Sequence, residues 1–328
     1  AMEQWQLPVE KIAPKMEAIS GTLQSQRSAE TVTVKGNDGF YVSFDAKNGE
    51  MTALNYNGKN LVKEGLQANF WRSLTDNDVA NGTDVRCRTW KNAGKNAVLK
   101  SIDLQESADK KMATVIASYD LKEQESTIQV VYRIRPNGAV NVAMHFTPGK
   151  KQLPEMPRLG MRMILPAEYD QMTWLGRGPQ ENYADRKDFA AIGLYSASVW
   201  DQFHPYVRAQ ETANKCDVRW VALRNQAGEG MLVTGGEPLS VSAWNSPMED
   251  FLYRPFDSGR LHGGSIEKKD MVWLNIDHMQ MGVGGDNTWG AQVHPEYTIT
   301  PCAWQYSFTI QPLNAQSDAV ELSHKVWF

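Results

Sequence analysis

The chain has 328 residues and a formal net charge of −4, from 34 basic and 38 acidic side chains. It has no basic stripe that could release counterions from nucleic acid or dock on an anionic membrane. No run approaches the ~20 consecutive apolar residues of a membrane helix. The length allows one large all-β domain or two ordinary ones.

Cys87, Cys216 and Cys302 lie far apart. Their spacing suits neither a zinc site nor a disulfide framework, so all three are expected to be small buried hydrophobes. Eleven tryptophans, eleven tyrosines and ten phenylalanines suit a β-rich core. Flat rings also suit the C–H faces of sugars.

In chain order, the opening "AMEQWQLPVEK" lacks the basic and apolar regions of a signal peptide. Within it, "EQWQLPV" reads as an isolated strand. Residues 10–29 are polar and unpatterned and read as a linker, so the folded body is expected from Glu30. Period-two alternation then marks strands at 31–36, 40–46 and 113–121. Between them lies "FWRSLTDNDVANGTDVR" (70–86), which reads as a long loop, where mobility and function are expected.

In "TIQVVYRIRPNGAVNVAMHF", Ile128, Val130, Tyr132 and Ile134 alternate, a Pro-Asn-Gly turn follows, and Val140, Val142, Met144 and Phe146 resume. That is a hairpin with turn chemistry to match. Further strands are expected at 158–166, 217–225, 239–245, 271–284 and 297–313. Long amphipathic helical patterns are nearly absent. The fold class is therefore all-β and antiparallel, a sandwich of two large sheets.

Three stretches concentrate polar chemistry. In "WLGRGPQENYADRKD" (174–188), Glu181 and Asp185 could form a glycosidase acid pair, which needs two carboxyls roughly 5–9.5 Å apart. Their spacing does not demand it, and a structural turn held by arginine–carboxylate pairs is the preferred reading. Asp76, Asn77 and Asp78 offer calcium-type ligands but lack the twelve-residue EF-hand register. The glycines of "MGVGGDNTWG" (281–290) have no following helix, so they make no dinucleotide fingerprint. That turn raises a question of its own, because it puts Trp289, the largest apolar side chain, near its tip.

The segments "ANFWRSLTDNDVANG", "MPRLGMRMILP", "WLGRGPQENYADRKD", "HPYVRAQETANKCDVRW" and "WLNIDHMQMGVGGDNTWG" occur in this order. Together they resemble the C-terminal domain of the large lactose-operon-type bacterial β-galactosidases of glycoside hydrolase family 2, or the small subunit of split enzymes. The resemblance covers roughly residues 28–313; the tail "DAVELSHKVWF" lies beyond it. It implies an antiparallel β-supersandwich of the galactose-mutarotase-like type over 30–328. Residues 1–9 would be the end of a preceding immunoglobulin-like domain.

The resemblance also implies that the catalytic glutamates lie on an absent TIM barrel, leaving no catalytic residue in this chain. No cofactor is implied in this chain either, since the magnesium and sodium of intact family enzymes sit on other domains. The implied partners are those domains or a large subunit, with a β-galactoside as the sugar and a homo-oligomer as the intact form. Trp289 would be an aromatic platform stacking on the aglycone sugar. Asp76, Asn77, Asp78 and Gly82 would belong to a mobile loop near the site, although "VANGTDV" departs from the family pattern there. Gly178, Pro179, Glu181, Tyr183, Asp185 and Arg186 would form a structural signature.

Two other readings use the same residues. A free-standing sugar-binding module would need only the aromatics. An aldose 1-epimerase would need an acid/base pair, usually histidine with glutamate, facing the sandwich groove.

Overall fold

Val32, Val34, Val42 and Phe44 occupy alternate positions and are fully buried, as a pleated strand with one face on a core requires. The computed structural model describes residues 4–5, 16–251 and 262–328. In it these residues belong to a five-stranded antiparallel sheet in sequential order: β1 (Gln24–Arg27), β2 (Thr31–Lys35), β3 (Tyr41–Asp45), β4 (Met51–Tyr56) and β5 (Lys59–Asn60). The sheet starts inside the expected linker, because Gln24–Arg27 pairs with residues 32–35. The folded body therefore begins before Glu30. Of the expected immunoglobulin-like end, only Gln4 and Trp5 fall within the described residues.

Among the described residues the larger sheet has twelve strands. They are β6 (Glu64–Asn69), β7 (Val98–Glu106), β8 (Ala113–Leu121), β9 (Ser126–Ile134), β10 (Val140–Thr147), β11 (Arg158–Pro166), β12 (Gln171–Gly178), β13 (Ala191–Ser198), β14 (Lys215–Arg224), β15 (Gly230–Trp244), β16 (Met271–Gln280) and β17 (Trp304–Leu313). The main order is β13-β12-β14-β15-β17-β10-β9-β8-β7, with β16, β11 and β6 branching from β15.

The branch arises because β15 changes partners along its length. Residues 230–235 pair with β17, and residues 240–244 pair with β16. The two arms then face each other. Tyr306 on β17 donates its hydroxyl to the Ile276 carbonyl on β16 at 2.9 Å. Phe146 on β10 packs edge-on to Phe70, just beyond β6, with centroids 5.8 Å apart. The small sheet joins the same core, where Phe44 meets Tyr132 at 4.7 Å. Burial of each such apolar side chain contributes about 1.5–3 kcal/mol.

The β9–β10 hairpin has the expected register, with Ile134 opposite Val140 and Gly138 at φ +86° in the turn. Helix is confined among the described residues to short pieces: α1 (Asp76–Ala80), α2 (Thr83–Arg86), α3 (Ala319–Ser323) and a few 3-10 turns. In the C-terminal tail, Ala319 and Leu322 of α3 pack against buried Trp220, Ala222, Leu232 and Leu313. Of the cysteines, Cys87 and Cys216 are buried as expected, whereas Cys302 is exposed. It lies in a loop two residues before β17.

Candidate functional site

Strand β16 ends at Gln280, and the chain turns at once under a set of braces. Arg72 donates to the Met281 carbonyl and, at 2.7 Å, to the Gly282 carbonyl. The Asp185 carboxylate accepts the amides of Val283 at 3.0 Å and Gly284 at 2.6 Å. Successive turn amides make an anion-binding nest, and the protein's own carboxylate fills this one. Gly282 is required by that approach, since a Cβ there would lie 2.7 Å from Asp185 Cγ.

Further along the turn, Asn287 Oδ1 accepts the Trp289 amide at 2.8 Å. His294 pairs with Asp286 at 2.8 Å, which raises the histidine above its ordinary pKa. Gly290, at φ +122°, occupies backbone that disfavours a side chain. Trp289 itself is 90 % exposed, against 3 % for Trp220 within β14. The indole does not fold back into the core.

Within the segment expected as a long loop (70–86), residues 76–80 and 83–86 are helical. Thr75 caps α1 in a reciprocal capping box with Asp78, and Gly82 caps α2 at φ +75°. The three side chains with calcium-ligand chemistry point to different partners. Asp76 pairs with Arg208 at 2.7 Å. Asn77 donates to the Val283 carbonyl at 3.0 Å. Asp78 is buried and paired with buried Arg72 at 2.8 Å. Among the described residues no group of three His, Cys, Asp or Glu side chains is placed to hold a metal. Asn77 and Arg72 nevertheless tie α1 to the Trp289 turn. Ala80 also lies against Gly290, its carbonyl 3.3 Å from where a Cβ would stand. The two candidate segments therefore share one face.

Glu181 and Asp185 do not act as a pair. Glu181 accepts from the Tyr206 hydroxyl, Thr212 Oγ1 at 2.9 Å, the Ala213 amide at 2.8 Å and Arg186 at 2.8 Å. Asp185 faces the other way, into the turn nest. Tyr183 is buried, and its backbone bridges to Arg186. Gly178 ends β12 and is joined to Pro179 by a cis peptide. Every one of these contacts holds a loop in place.

Behind this surface lies a buried polar cluster that the sequence reading missed. Arg158 meets Glu211 and Asp277 at 3.2 Å each, and all three are excluded from solvent. Desolvation raises the Asp277 pKa to about 7 in spite of the Arg158 charge, and raises Glu211 as well. Gln280 donates to Glu211 at 3.2 Å and to Asn214 at 2.9 Å. Nearby Lys215, also buried, is lowered by desolvation to about 8. A signal was available, because Arg158 and Asp277 lie in strands rich in apolar residues, where a buried charge needs a partner. Of the histidines among the described residues, only His294 is paired with carboxylates, and it is exposed.

A family model described as beta galactosidase small chain matches residues 36–311. A beta-galactosidase of Priestia megaterium is 35% identical over 316 residues, covering 95% of this chain and 29% of that protein. One of Lactobacillus delbrueckii subsp. bulgaricus is 31% identical over 284 residues, 85% of this chain and 27% of that protein. The chain thus spans less than a third of the length of these relatives. Among solved structures, a GalM/aldose epimerase homologue from C. elegans aligns with TM-score 0.49 at 8% identity, over 88% of this chain and 99% of that one. A galactose 1-epimerase from Lactobacillus acidophilus aligns with TM-score 0.47 at 10% identity, over 90% and 99%.

Proposed function

Because this chain belongs to the beta-galactosidase small-chain family, we propose that it completes the aglycone side of a β-galactosidase active site whose catalytic carboxylates lie on other domains or a large subunit. The enzyme would be of the lactose-operon type in glycoside hydrolase family 2. It would hydrolyse terminal β-galactosides with retention, through a galactosyl-enzyme intermediate. The chain alone would be inactive.

One observation carries the reading. A 90 % exposed indole stands on a turn braced from Arg72, Asn77 and Asp185. An exposed ring of that size loses apolar contact with nothing gained unless a ligand or partner covers it. A rigid mount lowers the ordering cost when it does. The indole would stack on the sugar attached to galactose, with α1 beside it.

The test is β-galactoside cleavage by this chain alone and joined to the rest of the enzyme. The chain alone should turn over nothing. In the assembled enzyme, Trp289→Ala should weaken leaving-sugar or acceptor binding by about tenfold, with little change in galactose inhibition. Turnover by the isolated chain, lost on substitution of Glu181 or Asp185, would overturn the proposal.

A further inference from the structure

On the far side of the Glu181–Arg186 pair lies a cleft that shares no lining residue with α1 or the Trp289 turn. Its volume is about 560 Å³, within the roughly 300–1,000 Å³ of small-molecule sites. Phe189 stands at its rim, 59 % exposed, although loop residues of that type ordinarily turn inward. Tyr195 and Tyr206 contribute half-buried rings to the wall.

The polar groups along this cleft are incompletely matched. Lys215 is 1 % exposed and lies over the Trp174 ring at 5.2 Å. Among the described residues its ammonium donates only to the Ala213 carbonyl, at 3.0 Å. An ammonium has three N–H donors, so this one is incompletely matched, although its burial sets it beneath the cleft wall rather than in the opening. Gln202 also lines the cleft, and its buried Oε1 has no partner among the described residues. A buried unmatched acceptor costs about 1–3 kcal/mol unless something supplies a donor.

We propose that this cleft is a second saccharide site, which takes one neutral pyranose unit independently of Trp289. A pyranose offers an apolar C–H face for an aromatic ring and an edge of hydroxyls that both donate and accept. Exposed Gln180, Asp201 and His204 line the cleft and offer that edge of hydroxyls both donors and acceptors. Charge points the same way. Glu181 and Arg186 neutralise each other, and the remaining lining charges, Lys215 and Asp201, are of opposite sign. Neither an anion nor a cation is favoured.

Titration calorimetry of the 328-residue chain with galactose and with lactose tests this, using the wild type, Phe189→Ala and Trp289→Ala. Binding in the millimolar range is expected. Phe189→Ala should weaken it about tenfold, and Trp289→Ala should leave it intact. Phe189 is exposed, so its substitution should not endanger folding. Asp201→Ala, checked for folding by its thermal transition, should weaken binding further. Absence of saccharide binding, or binding kept in Phe189→Ala and lost in Trp289→Ala, overturns the proposal. The latter result would leave the role proposed for Trp289 standing.

Discussion

Two carboxylates, Glu211 and Asp277, share the single buried guanidinium of Arg158 at 3.2 Å each. One bound proton balances the three charges, and burial provides the drive to take it up. Asp277 is raised from 3.8 to about 7. Between those values the folded chain holds a proton that the unfolded chain has released, so stability falls as pH rises from about 4 to 7. Asp277→Asn should flatten that slope, and denaturant unfolding at pH 4 and pH 7 would measure it. An unchanged slope would show that Asp277 is already ionised in the native protein. Lys215 acts in the opposite sense at higher pH. Its folded value is lowered from 10.5 to about 8, so stability should rise between those limits. Arg72 and Asp78 are a different case, since the pair is matched one to one and buried. Arg72→Met leaves buried Asp78 with the Thr75 amide but no counter-charge, at a cost of about 3–5 kcal/mol. The double variant Arg72→Met with Asp78→Leu should recover part of that loss in the same unfolding measurement.

At the scale of elements, the 281–290 turn depends on groups distant in sequence. Gly282→Ala would put a methyl within 3 Å of Asp185, and that carboxylate cannot withdraw without releasing the Val283 and Gly284 amides. A loss of about 1–3 kcal/mol is expected. It should come with a change in Trp289 fluorescence, because the mount moves with the nest. A variant with normal stability and an unaltered spectrum would mean that the turn is not braced as described. Legibility in the sequence follows the exposure of each element. Strands buried on one face, such as β9 and β10, were plain in the alternation. Strands β7 and β13 end the main strand path; β7 exposes most of its residues and β13 fully buries none, so little hydrophobic period remained to read. In β12 the alternation is present, but Gly176 and Gly178 disguised it as a turn. Gly176 is there because a Cβ would press on Val218 at 2.9 Å. Helix α1 was hidden because five residues carry too few turns for a period, and Thr75 and Asp78 cap it as readily as they would start a loop.

For the whole molecule, the C-terminal tail closes the outer face of the large sheet. Trp327 donates to Gln311 at 2.6 Å, Arg135 donates to the Trp327 carbonyl at 2.9 Å, and Val326 bridges to Met16. Truncation after Leu313 would uncover Trp220 and Leu232 and should cost roughly 1–3 kcal/mol, seen as a lower thermal midpoint. An unchanged midpoint would show that the tail adds nothing to the core. The sequence by itself determined the β architecture, the β9–β10 hairpin and the family motifs, because alternation and turn chemistry are local and each residue carries its share. It also singled out Trp289, since a large ring among glycines is conspicuous without any structure. Only the tertiary structure decided that Asp76, Asn77 and Asp78 serve three different partners, that Glu181 and Asp185 face apart, and that Arg158, Glu211 and Asp277 meet. Those outcomes depend on segments up to 210 residues apart in sequence being brought together by the fold. Burial then fixes which charges must pair, and no local pattern records that.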